Sequence, residues 1–216
     1  MARKQITAQK IIELYMDEVL MDDTSKTIYA FAKKHEFEEN EFYQHFSSFE
    51  TLEKEIFAIF HDKTIELLHN NEEYKTYDEK SKLLSFYYTF FELLTANRSY
   101  VHLKLKGNKN KLESVKLLSK LKETHIRYIK EEFHSDKIDF KNEKVNKVRD
   151  KGMEETAWIQ LLFALQFWLE DESKNFEKTD VFIEKAVKAS FDLKDITPLK
   201  SVFDFAKFLW KEKMPV

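Results

Sequence analysis

Two pairs of side chains in this sequence have a spacing that can bind metal. Glu66 with His69 and Glu131 with His134 repeat a Glu-x-x-His pattern, which sets a carboxylate and an imidazole one helical turn apart on one face. Two such pairs, completed by carboxylates from two further helices, are how bundles assemble di-iron sites. Both pairs here fall near predicted helix ends beside polar stretches, so charged surface is the expected reading, with no metal and no other cofactor. Nucleophile elbows, Gly-rich phosphate loops and the zinc-binding pattern of paired histidines flanking a glutamate are absent, so an enzyme is not expected. A second chemistry is apolar recognition. Aromatic residues crowd Phe86–Phe91 and recur at Trp158, Phe163, Phe167 and Trp168, with polar tips at Tyr88, His125 and Tyr128. Such residues make ordinary bundle core or line a pocket for an aromatic or lipid-like molecule, and one set can do both. The pocket candidates are Phe86, Tyr87, Phe90, Phe91, His125, Tyr128, Trp158 and Phe163. A basic run, including Lys104, Lys116, Lys120, Lys122, Arg127 and Lys130, is read as a solvated helix face, with an anionic ligand or partner as the alternative.

The elements that must position these residues are helices. Two Gly and two Pro in 216 residues are too few for a many-stranded sheet, while 43% hydrophobic and 15% aromatic content supplies a core. No Cys is present, which excludes disulfides and thiolate sites and suits a reducing compartment. No apolar run approaches the roughly 20 residues that span a bilayer, and the start lacks a signal-like segment, so a cytoplasmic location is expected. Charge is uneven: residues 1–52 carry 6 Lys and Arg against 10 Asp and Glu, while residues 102–151 carry 15 against 8.

Apolar periodicity predicts helices over about 6–20, 26–35 and 38–45, then a long one to about His69 opened by a capping box of Ser47 and Glu50. Residues 70–77 read as a linker, and Asp78 as the cap of a fifth helix through Leu94. Gly107-Asn108 is a break, followed by a basic helix over about 109–134 and a charged loop or weak helix over 136–151. Helices over about 154–171, 180–190 and 198–213 complete the chain, the last with Thr197 as cap and Pro198 at its first position.

Three short helices before a long one suggest a helix-turn-helix module on a larger body. Phe31-Ala32, Phe37, Phe42-Tyr43-Gln44-His45-Phe46 and Leu52 stand at the spacings of conserved positions of the tetracycline-repressor (TetR) family, which this chain resembles over about residues 6–60. The resemblance implies an all-α homodimeric transcriptional regulator: a DNA-binding module over 1–52 and a ligand-binding and dimerisation domain over 53–216. It also implies that double-stranded DNA binding is changed by a small apolar or lipid-like ligand. Tyr43 and His45 match residues that contact DNA phosphates in the family. With Asn40 and the nearby Lys4, Lys26, Lys33 and Lys34 they are the DNA-binding candidates. The last two long helices dimerise in the family, which makes Trp158, Leu162, Leu165, Trp168, Leu169, Val202, Phe203, Ala206, Leu209 and Trp210 the interface candidates. The last helix lying on a membrane surface is the competing reading. The sequence departs from the family pattern in three ways: Phe49 replaces a phosphate-binding lysine, Glu36 replaces the turn glycine, and Glu38, Glu39 and Glu41 bring negative charge to the recognition helix. The alternative is therefore a binder of lipid or other hydrophobic ligands with the same fold that no longer reads DNA.

Overall fold

The computed structural model describes residues 5–106, 111–133 and 143–194. Among them the regular elements are all helical: α1 (Ala8–Leu20), α2 (Ile28–Lys34), α3 (Glu39–Tyr43), α4 (Phe49–His69), α5 (Glu79–Ala96), α6 (Arg98–Leu105), α7 (Lys111–Leu117), α8 (Ser119–Glu132), α9 (Glu143–Glu170) and α10 (Glu177–Lys194). The expected helix over 198–213, with its Thr197 cap and Pro198, lies outside the described residues, as do the Gly107-Asn108 break and His134. The chain forms two compact units, one of residues 1–64 and 90–124 and the other of 65–89 and 125–216.

In the first unit, local signals set the helix ends. Thr7 caps α1 by accepting the Lys10 N–H at 3.2 Å, and Thr27 caps α2 by accepting that of Ala30 at 3.1 Å. The cap of α4 is Ser48, which accepts the Thr51 N–H at 3.1 Å, rather than the expected Ser47 with Glu50. The helix begins one residue later than the capping-box spacing requires; Ser47 bonds the Thr51 hydroxyl at 2.9 Å, and Glu50 pairs with Lys54 at 2.7 Å.

The core of this unit gathers around Phe31, which is fully buried. Its ring lies 5.7 Å from Phe37, 6.2 Å from Phe42, 5.6 Å from Phe49 and 6.3 Å from Tyr15, all edge-on, so α1 to α4 converge on one side chain. Glu53 of α4 accepts from both the Tyr15 hydroxyl and the Lys104 ammonium, which ties α1, α4 and α6 together.

In the second unit, residues 70–77 are more than a linker: a 3-10 turn at Glu73–Thr76 buries Tyr74, whose hydroxyl bonds that of Tyr128 at 3.0 Å. Asp78 caps α5 as expected, accepting the Ser81 N–H at 2.8 Å. Asp171 organises the turn between α9 and α10, accepting the amides of Ser173 at 2.8 Å and Thr179 at 2.9 Å as well as both hydroxyls. Burial works against its charge, but the Ser173 and Thr179 hydrogen bonds outweigh that and hold the carboxyl at about 2. The basic stretch expected as one helix is two, α7 and α8, separated at Leu118, and residues 143–151 of the stretch expected as a charged loop or weak helix are the first part of the 28-residue α9.

Truncating Phe31 to Ala removes the ring on which four helices pack. Denaturant unfolding of Phe31→Ala is expected to show a loss of about 3–5 kcal/mol, the range for large-to-small aromatic truncation in a closed core.

Candidate nucleic-acid interface

A helix-turn-helix surface requires a sharp turn between two short helices, and the turn after α2 is built by backbone bonds. The Phe37 N–H reaches the Ala32 carbonyl at 3.0 Å and the Glu36 N–H reaches that of Lys33 at 3.4 Å, the paired bonds of a Schellman motif. Glu36 occupies its left-handed position with φ 58°, where a side chain is strained and glycine is not. The Phe31–Phe37 ring contact closes the motif from the core side.

A buried carboxylate locks α2 against α1. Glu18 is 4% exposed and accepts the Ser25 amide at 2.8 Å, the Ser25 hydroxyl at 3.1 Å, the Lys34 ammonium at 2.9 Å and the His35 ring at 2.9 Å. Burial raises its pKa, but these partners more than reverse the effect and hold Glu18 below the ordinary carboxylate range. Lys34, a DNA-binding candidate, is committed to this lock and also pairs with Asp23 at 2.6 Å.

The helix in the recognition position, α3, exposes Asn40 and Tyr43, with Gln44 and His45 exposed just beyond its end. Its glutamates have structural work. Glu38 and Glu41 form a capping box, the Glu41 carboxylate accepting the Glu38 amide at 2.9 Å and that of Ile6 at 3.2 Å. Gln5 donates to Gln44 at 2.7 Å, and the His45 Nε2 lies 3.0 Å from the Ile6 carbonyl, so Nε2 must carry the proton and donate. Residues 5 and 6 are thereby stapled to α3, an attachment that helical periodicity could not reveal because its partners are about 35–39 residues apart.

Tyr43 donates its hydroxyl to Glu39 at 3.3 Å, and desolvation followed by the Glu39 charge raises the phenol's pKa. Lys33 stands 3.9 Å from Glu38 with its ammonium 5.7 Å from the Tyr29 ring centroid. Lys26 is exposed, with no described carboxylate at ion-pair distance, and Lys4 lies outside the described residues. Phe49, at the family's lysine position, belongs to the aromatic core and stacks on Tyr15 at 5.2 Å.

The pocket candidates divide between the units. Phe90 and Phe91 are buried in the first, where Phe90 packs against His61 at 6.0 Å. Phe86, Tyr87, His125, Tyr128 and Trp158 are buried in the second, with Phe163 half-buried. Phe86 stacks on Tyr128 at 4.8 Å and lies 5.2 Å from the His125 ring. Burial lowers the His125 imidazole to about 3 against a raising hydrogen bond with the Ala157 backbone, so the ring is neutral at neutral pH. Of the interface candidates, Trp158, Leu165, Trp168 and Leu169 are buried within the chain and Leu162 is half-buried. Val202, Phe203, Ala206, Leu209 and Trp210 lie outside the described residues. Among the described residues no three His, Cys, Asp or Glu side chains are placed to hold a metal, and His69 is bonded to Glu132 at 3.0 Å. No described helix is long and apolar enough to cross a membrane.

Residues 82–209 match the sequence model of the tetracyclin repressor-like C-terminal domain. The chain belongs to the tetracycline repressor-like family of regulators. No curated protein and no solved structure matches it. The family match falls on the part of the chain in which no motif is legible, and the motif residues Phe31 to Leu52 precede it.

Two measurements test this repressor-like architecture. Glu36→Gly relieves the left-handed strain and is expected to raise stability by about 1 kcal/mol in chemical denaturation. Because burial depresses the His125 pKa, the unfolded chain binds the extra proton between the ordinary histidine value of about 6.5 and the folded value of about 3. The folded state accordingly loses up to about 1.4 kcal/mol per pH unit across that window on acidification, and His125→Leu is expected to flatten that part of the stability–pH curve.

Proposed function

We propose that this tetracycline repressor-like protein is a homodimeric transcriptional regulator that binds double-stranded DNA through residues 1–52 and takes up a small apolar molecule in residues 53–216. The observation that carries the reading is the α2–turn–α3 arrangement, in which Asn40, Tyr43 and His45 are exposed around a short helix anchored from behind by Phe42. A recognition helix offers such residues to base edges and phosphates in the major groove. Ligand uptake that favours one arrangement of the two modules over another changes DNA affinity by its difference in affinity for those arrangements.

A second reading of the same family membership has its own support. The Tyr43 hydroxyl is donated to Glu39, the His45 Nε2 faces the Ile6 carbonyl, and Lys33 and Lys34 both have acidic neighbours. A phosphate approaching α3 must displace these contacts while meeting Glu38 and Glu39. On this reading the protein binds hydrophobic ligands and no longer reads DNA.

Fluorescence anisotropy with duplex DNA from the protein's own upstream region, beside a random duplex and across a salt series, separates the two. A regulator binds its own region preferentially and weakens with salt, the slope being about 0.9 per phosphate neutralised. In that case Glu39→Gln, which removes a charge and loosens the hold on Tyr43, is expected to tighten binding severalfold. Absence of binding at low salt by a dimer confirmed by light scattering selects the second reading.

A further inference from the structure

The first unit contains a groove that includes none of the pocket candidates; its wall from Leu93 to Tyr100 falls within the family match, and the rest of its lining precedes that match. It has a volume of about 510 Å³ and lies between the outer face of α1, the middle of α4 and the corner where α5 turns into α6. Its size falls within the range of small-molecule sites. Ile12, Ile56 and Phe60 lie buried along its floor, while Met16, Ile59 and Leu93 are only partly covered, leaving an apolar strip in contact with solvent. Such a strip lowers its free energy by roughly 25 cal/mol for each Å² of apolar surface that a ligand covers.

The rim indicates what kind of molecule fits. Lys10, Lys63 and Arg98 stand around the groove with Glu13 and Asp17, an excess of one positive charge. Lys10 and Glu13 neutralise one another at 3.3 Å. Lys63 is exposed, with no described carboxylate at ion-pair distance, yet it lies near enough to lower the Glu13 pKa after the Gln9 and Lys10 hydrogen bonds. An exposed cation with no ion-pair partner among the described residues, beside an apolar strip, complements an amphiphile with one anionic head and an alkyl tail.

We propose that this groove is a binding site for a single-chain anionic amphiphile, with its tail along Met16, Ile59 and Leu93 and its head at Lys63. The site stands independently of whether residues 1–52 bind DNA, and it is distinct from the aromatic core around Phe86 and His125. An occupant would touch α1 and α4 directly, so its binding would bear on the same helices that carry the helix-turn-helix core.

Isothermal titration calorimetry with dodecanoate below its micellar concentration tests the site, with dodecanol as the uncharged control. One dodecanoate per chain is expected. Lys63→Glu should weaken dodecanoate about five- to tenfold, the scale of an exposed charge reversal, while leaving dodecanol unchanged. Met16→Asp, which puts a charge on the strip without removing a fully buried side chain, should weaken both ligands more than tenfold. Circular dichroism melts of both variants establish that they are folded. The proposal is overturned by no dodecanoate binding to the wild type, or by binding that folded Lys63→Glu and Met16→Asp leave unaltered; Phe86→Ala reducing it in their place would assign the ligand to the second unit.

Discussion

Burial of one phenylalanine is the constraint on which the front of the molecule depends. Phe31 is enclosed by rings from α1, the α2–α3 turn, α3 and α4, so none of these elements can reorient without exposing it. This dependence accounts for the aromatic residue at 49. A lysine there would reach outward to phosphate, whereas Phe49 reaches inward and completes the cluster. The substitution exchanges an electrostatic contact with a partner for packing within the chain, and the two cannot be had at one position.

Electrostatics divides the same surface into charges that hold the fold and charges that face outward. The buried Glu18 takes Lys34 and His35, and Glu41 accepts the Ile6 and Glu38 amides, so a count of acidic residues overstates the repulsion a phosphate would meet. A count of lysines likewise overstates the attraction, because Lys34 is neutralised twice over and Lys33 stands beside Glu38. What faces outward is smaller and more balanced than the sequence charge of residues 1–52 suggests.

In the second unit, particular buried polar groups are matched to specific partners. Tyr74 and Tyr128 bond each other inside an aromatic stack, and Asp171 gathers four donors at the α9–α10 turn. The cost of removing these atoms from water is offset by specific partners, which makes this polar interior geometrically demanding. Trp168, fully buried and 6.0 Å from Phe176, extends the same core to the turn that Asp171 organises.

The sequence by itself determined the helical class, the approximate helix positions through the first 70 residues and at α5, and the family. These follow from period, caps and the spacing of Phe31, Phe37, Phe42 and Phe46, all local along the chain. Tertiary structure decided which polar residues are available. Tyr43 and His45 look alike as exposed motif residues in the sequence, but one is held by a neighbour four residues away and the other by a carbonyl 39 residues away. Tyr74 sat in an apparent linker because its partner, Tyr128, is 54 residues distant. The groove along α1 was equally illegible, since its walls come from three stretches of chain and only packing brings them side by side. Periodicity reports which face of a helix is apolar; it carries no information about which distant atoms complete a hydrogen bond or an ion pair.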